Sequence, residues 1–157
     1  MTIEFSMELQ FLGTGSAFVS IKDNYQSNMI LKHPNGKILL IDCGSDIRHS
    51  LAHYGLGFLD IDAVFISHQH ADHCGGLEWL ALTRKFSGTS LPKPHLLLHS
   101  DLYQPLWDHT LSGGLETLSG SQGVKIEDFF DVHLSDSNQR IVWENIDLEI
   151  VPTEHFY

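Results

Sequence analysis

Basic residues are scarce in this 157-residue chain: 9 Lys and Arg stand against 20 Asp and Glu, for a formal net charge of −11. That shortage argues against a broad polyanion footprint, because gripping a nucleic-acid backbone takes clustered Lys and Arg. A small anionic substrate whose charge is offset by metal ions remains compatible. Cysteine is rarer still. Cys43 and Cys74 allow at most one disulfide, which excludes a disulfide-stapled fold, and both are read as reduced, buried thiols. No apolar run approaches the ~18 residues that mark a membrane span. The opening MTIEFSMELQ carries Glu4 and Glu8 and lacks a basic flank followed by an apolar core. No secretory leader is expected, and the cytoplasm is the expected location. Internal repeats and low-complexity linkers are missing too, so a single domain over 1–157 is the expected organisation. Hydrophobic residues, 42% of the chain, suffice for one core.

Histidine, by contrast, is plentiful at 11 residues, and their placement follows a pattern of strands and helices. MELQFL (7–12) reads as a strand that meets the Gly-rich turn GTGSA. SNMILKH, the turn PNG and KILLIDCG (27–44) form a hairpin whose second strand is apolar throughout. Ser45 and Asp46 offer N-cap chemistry for a helix to about Tyr54, ended by Gly55. DIDAVFISH is the next strand, and helical spacing runs from about Gly75 to Phe86. A loop, SGTSLPKP, leads to the short strand HLLLHS. Residues 101–120 read as short helices broken at Pro105 and at Gly113 and Gly114. VKIEDFFDVHL, QRIVWENI and DLEIVPTEH read as strands. The order gives an α/β layered domain.

The sharpest feature is SHQHADH, residues 67–73, on the turn between a buried strand and a helix, where α/β sheets hold ligands. His68 and His70 alternate along extended chain, so both imidazoles face one side and can share a metal. Asp72 and His73 begin the next turn and can face a second metal about 3.5–4 Å from the first. Histidine and carboxylate without cysteine suit zinc, and also manganese, iron or nickel. Gly75 and Gly76 are expected to let the backbone pass beneath the metals. His33, His49, His53, His109 and His133 sit on polar turns or mixed faces and are read as ordinary surface residues. His95 and His99 bracket an apolar strand and are read as bystanders. Arg84, Lys85 and Lys93 are read as a solvated helix end and its surroundings.

SHQHADH resembles the HxHxDH motif of the metallo-β-lactamase fold superfamily. The likeness extends to FLGTGSA (11–17), LLIDCG (39–44) and DIDAVFISH, which together resemble the ribonuclease Z-like branch. That branch includes tRNA 3′-end endonucleases and cyclic-nucleotide phosphodiesterases, among them phage enzymes acting on cyclic pyrimidine mononucleotides.

The resemblance implies an αβ/βα sandwich and a binuclear metallo-hydrolase. His68 and His70 would bind the first metal, joined by His155 in LEIVPTEH, and Asp72 and His73 the second. Asp72 would also take the proton from the metal-activated water, and Asp42 would orient ligand imidazoles from behind. The family's bridging aspartate and last histidine lie in a second half beyond the His155 equivalent. The chain is therefore expected to represent the N-terminal half to two-thirds of such a domain. One apolar sheet face would then lie open, which leads to the expectation of a homodimer. The acidic balance favours a small cyclic nucleotide over tRNA as substrate. A metal-binding or assembly module without turnover is the non-enzyme alternative.

Overall fold

Four strands of the computed structural model, which describes residues 6–88, 90–116 and 123–153, are the apolar runs ILLI, AVFI and HLLL with the edge segment DVHL. They are β3 (Ile38–Ile41), β4 (Ala63–Ile66), β5 (His95–Leu98) and β6 (Asp131–Leu134), paired in parallel in that order. β1 (Glu8–Phe11) and β2 (Met29–Lys32) extend the sheet antiparallel beyond β3. The central strands are apolar at nearly every position because both sheet faces are covered.

On one face Ile30, Leu40, Val64 and Leu96 align in register across the strands. They pack with Ile47 and Leu51 of α1 (Ile47–His53) and with Leu77, Leu80 and Ala81 of the helix at 77–86. Each is at most 1% exposed, and burying one such side chain fully contributes about 1.5–3 kcal/mol. Asp46 precedes α1, but its carboxylate accepts from the Gln26 backbone N–H at 2.9 Å and makes no cap bond. The expected cap chemistry is thus redirected to pin the loop before β2.

The helix expected from about Gly75 to Phe86 is α3 (Leu77–Phe86), preceded by a separate short helix, α2 (Ala71–Cys74), with Gly75 and Gly76 between them. Two further expectations need correction. The stretch after β5 does not break at its proline and glycines. α4 (Ser100–Leu106) holds Pro105 inside it, passes into a π-helical turn at Trp107–Leu111 and continues as α5 (Ser112–Leu115). The proline removes one backbone donor, and the wider turn beyond it absorbs the misfit. Most of VKIEDFF is not strand: Ile126–Asp128 is a 3₁₀ turn, with Phe129 and Phe130 buried beneath it.

The second sheet face is not open. β7 (Arg140–Trp143) and β8 (Ile146–Glu149) form a hairpin closed by Glu144 and Asn145. Both turn residues have positive φ, as a two-residue type I′ turn requires. Ile141 and Trp143 are 4% exposed and cover Leu39, Ala63 and Leu97. Lys37 and Asn35 both donate to the Glu144 carboxylate, fastening one hairpin to the other. On this face of the sheet, Leu9 and Phe11 of β1 stay exposed.

Arg84 is not part of a solvated helix end. It is buried, and it donates to the carbonyls of Phe58 (3.0 Å), Leu59 (3.1 Å) and Pro92 (3.3 Å). Burial holds its guanidinium below its ordinary value. Lys85 instead lies over the Phe129 ring, and Lys93 donates to the Glu127 carbonyl. Arg84→Ala is expected to destabilise the fold by about 2–4 kcal/mol, since carbonyls on two loops lose their donor. Arg84→Lys should recover less than half, because an ammonium cannot reproduce the fork. Urea unfolding midpoints check both.

Candidate metal centre

The motif turn is held by the turn that follows β3. Cys43 N–H donates to the His73 carbonyl (2.6 Å), Ser45 N–H to that of Ala71 (3.1 Å), and Gly76 N–H to that of Cys43 (2.8 Å). The two backbones lie so close that a Cβ on Gly44 would stand 2.3 Å from the Asp72 carbonyl oxygen. One on Gly76 would stand 2.4 Å from the Gly44 oxygen. Gly44 and Gly76 thus let the two turns meet in backbone contact. Cys43 and Cys74 are free and buried in this junction. Burial pushes both thiols up, Cys74 to about 11, so neither is a nucleophile at neutral pH.

On this framework the donor atoms fall into two pairs. His68 Nε2 and His70 Nδ1 are 3.1 Å apart, and Asp72 Oδ2 and His73 Nε2 are 3.3 Å apart. Two ligands at about 2.0–2.1 Å from one tetrahedral ion stand roughly 3.3–3.4 Å from each other. Each pair therefore has the spacing of one coordination edge. The His68 and His73 rings are 4.1 Å apart between centroids, which places the pairs side by side. The donor set fits divalent metal ions. His155 lies outside the described residues.

Asp42 organises both pairs from behind. Its Oδ1 accepts from Ser67 N–H (2.8 Å) and its Oδ2 from the Ser67 hydroxyl (2.9 Å). Having spent its proton there, the Ser67 hydroxyl can only accept at its 3.0 Å contact with His68 Nδ1. His68 thus carries its proton on Nδ1 and presents the Nε2 lone pair. His73 Nδ1 donates directly to Asp42 Oδ2 at 2.7 Å, with the same consequence for its Nε2. This bond raises the His73 imidazole above its ordinary value, against the opposing effect of burial. Asp42 occupies the left-handed region at φ 63, a strained conformation of the kind that clusters at functional sites. Asp42→Asn tolerates that backbone but replaces one acceptor with a donor. It is expected to weaken zinc binding about 10–100-fold, read by competition with a chromogenic chelator.

A cavity of about 640 Å³ opens beside the motif, lined by Phe65, His68, His99, Leu102, Pro105 and the 149–153 segment among others. His99 was a bystander in the sequence reading. It is the first residue after β5, as Asp42 follows β3 and Ser67 follows β4. Position at the carboxyl end of a parallel strand was the signal that marks it. Its Nδ1 accepts from Asp101 N–H at 3.2 Å, which leaves Nε2–H as the donor of the neutral ring. His33, His49, His53 and His109 are not among the residues lining this cavity.

A family model described as "Anti-Pycsar protein Apyc1" matches residues 7–157. An Anti-Pycsar protein Apyc1 from Paenibacillus harenae is 41% identical over 150 residues, covering 95% of this chain and 59% of the relative. The chain thus spans about three-fifths of the length of that curated relative. Among solved structures, the metallo-β-lactamase fold protein YhfI from Bacillus subtilis superposes with a TM-score of 0.62 at 20% identity, over 88% of this chain and 50% of that one. Human tRNase Z, short form, gives 0.58 at 27% identity, over 83% and 47%. The layered architecture is that of the metallo-β-lactamase fold.

Proposed function

The chain belongs to the Anti-Pycsar protein Apyc1 family, and from that premise we propose that it is a binuclear metal-dependent phosphodiesterase acting on a cyclic nucleotide. The observation that carries the reading is the pairing of four donors within six residues, each pair at the spacing of one metal ion's ligands. His68 and His70 would hold one ion, with His155 as the expected third ligand, and Asp72 and His73 the other. Divalent ions here, zinc first and manganese, iron or nickel as alternatives, would supply Lewis acidity and a water acidic near neutral pH.

The protein's own residues do the rest. Asp42 and Ser67 fix the tautomers that turn lone pairs toward the ions. Asp72, whose Oδ2 faces His73 Nε2, accepts the proton lost by the attacking water. Phe65, Leu102 and Pro105 give the cavity apolar walls that keep bulk water from the phosphodiester. The His99 Nε2–H is placed to donate to an anionic substrate. A cavity of about 640 Å³ lies in the range of small-ligand sites, and the acidic balance of the chain supports a small substrate over a long polyanion. Maturation of tRNA 3′ ends is the second reading, favoured by the 27% identity with human tRNase Z.

The test is elemental analysis of the purified chain with hydrolysis of cyclic pyrimidine and purine mononucleotides, bis(p-nitrophenyl) phosphate and a precursor tRNA. Two ions per chain with turnover of a cyclic mononucleotide is the expected result. Turnover of the tRNA alone would move the function to the second reading, and bound metal without any turnover would leave a metal-binding module.

The buried free thiols support a cytoplasmic setting, where thiols stay reduced, and no helix among the described residues is long and apolar enough to cross a membrane. We also propose self-association. With the second sheet face covered, its support is the exposed Leu9 and Phe11 of β1, an edge strand that pairs with β2 alone among the described residues and offers its other edge to a second copy. Sedimentation at micromolar concentration is expected to give a dimer, and a monomer would count against it.

A further inference from the structure

A second cluster of metal-type donors lies at the opposite end of the sheet from the motif. His95 opens β5 and Asp131 opens β6, paired in parallel register, and His133 follows beside Leu97. Alternation along β6 puts Asp131 and His133 on one face, and the register puts His95 beside them. His95 Nδ1 is 2.8 Å from His133 Nε2, and Asp131 Oδ2 is 3.1 Å from the first and 3.3 Å from the second. Three ligands on one face of an octahedral ion at about 2.1 Å stand roughly 3.0 Å apart. All three donor atoms converge within 4.8 Å of one another. Their side chains are 33%, 58% and 40% exposed, so an ion there has access from solvent.

We propose that His95, Asp131 and His133 form a separate site for a divalent transition-metal ion. Two imidazoles and one carboxylate suit zinc, cobalt or nickel over calcium or magnesium. The ion ties the edge strand β6 to β5 and protects a sheet edge that is otherwise held by one neighbour. Because it binds the folded state, it raises stability as its concentration rises.

The test uses the whole chain and zinc, with cobalt as a paramagnetic probe. His68→Ala/Asp72→Ala is expected to keep one zinc equivalent and a zinc-dependent rise in Tm, and adding His95→Ala/His133→Ala to that background to lose both. In the unsubstituted protein, cobalt should broaden the amide signals of 95–97 and 131–133 as a group apart from those of 67–73. That readout holds even if a variant fails to fold. Broadening confined to 67–73, or an unchanged zinc count in His95→Ala/His133→Ala, would overturn the proposal and leave a proton shared between two histidines. Failure of the phosphodiesterase reading would not move these readouts.

Discussion

Replacing Asp72 by alanine is expected to remove one of the two ions proposed at the motif and to lower the proposed hydrolysis of a cyclic mononucleotide at least about a thousandfold. The expectation combines two losses. Asp72 Oδ2 is one half of the donor pair with His73 Nε2, 3.3 Å away, and a lone histidine holds a divalent ion poorly. The same carboxylate is the proton acceptor in the proposed reaction. Losing the electrostatic help of one ion costs several kcal/mol, and about 4 kcal/mol corresponds to the thousandfold. The fold should hardly notice, because among the described residues the carboxylate pairs only with its neighbour His73 and sits in the first turn of a helix of four residues; a few tenths of a kcal/mol is the expected change. Metal content, steady-state rates and urea unfolding of the same preparation check it. A variant that keeps both ions and most of its rate would dismiss Asp72 from both roles.

Gly76→Ala is expected to destabilise the protein by about 3 kcal/mol or more, for one methyl group. The backbone at Gly76 has φ −91 and ψ −7, which alanine adopts freely, so the penalty is steric. The added carbon would meet the Gly44 oxygen at 2.4 Å and Ile47 Cγ2 at 2.5 Å. Overpacking a fixed contact typically costs 1–3 kcal/mol, and relief here would also open the Gly76 N–H bond to Cys43. At this chain length the loss corresponds to a Tm drop of roughly 6–12 °C. Gly113→Ala, where nothing lies within 4 Å of the new carbon, should instead stabilise α5 by up to about 1 kcal/mol. Calorimetry of the pair separates a steric cause from a general intolerance of glycine replacement. Equal and small effects would mean that the two turns are not locked together.

What could be read from the sequence was what local spacing determines. The β2–β3 hairpin and the buried β4 run depend on neighbours a few residues away, and the structure places each where its pattern says. Features that depend on distant partners were misread. Asp46 has the composition of a helix cap, yet Gln26, remote in sequence, claims its carboxylate. Arg84 has the look of a surface cation, yet three loop carbonyls converge on it. The covering of the second sheet face by Ile141 and Trp143 was hidden because the alternation in RIVW says that one side is buried but not against what. His95 and His133 are 38 residues apart, and only the adjacency of β5 and β6 brings them together. His99 was passed over because one histidine beside an apolar run carries no spacing signal.

The cavity beside the motif joins two stretches of chain. The donors from His68 to His73 and the turn that braces them lie within 42–76, whereas part of the facing wall comes from 149–153, beginning at the last residue of β8. His155, the expected third ligand of the first ion, follows that wall by two residues in the sequence. Under the proposed function the later passage would therefore set both which molecule is accepted and how one ion is held, so changes of target and of chemistry would be inherited together.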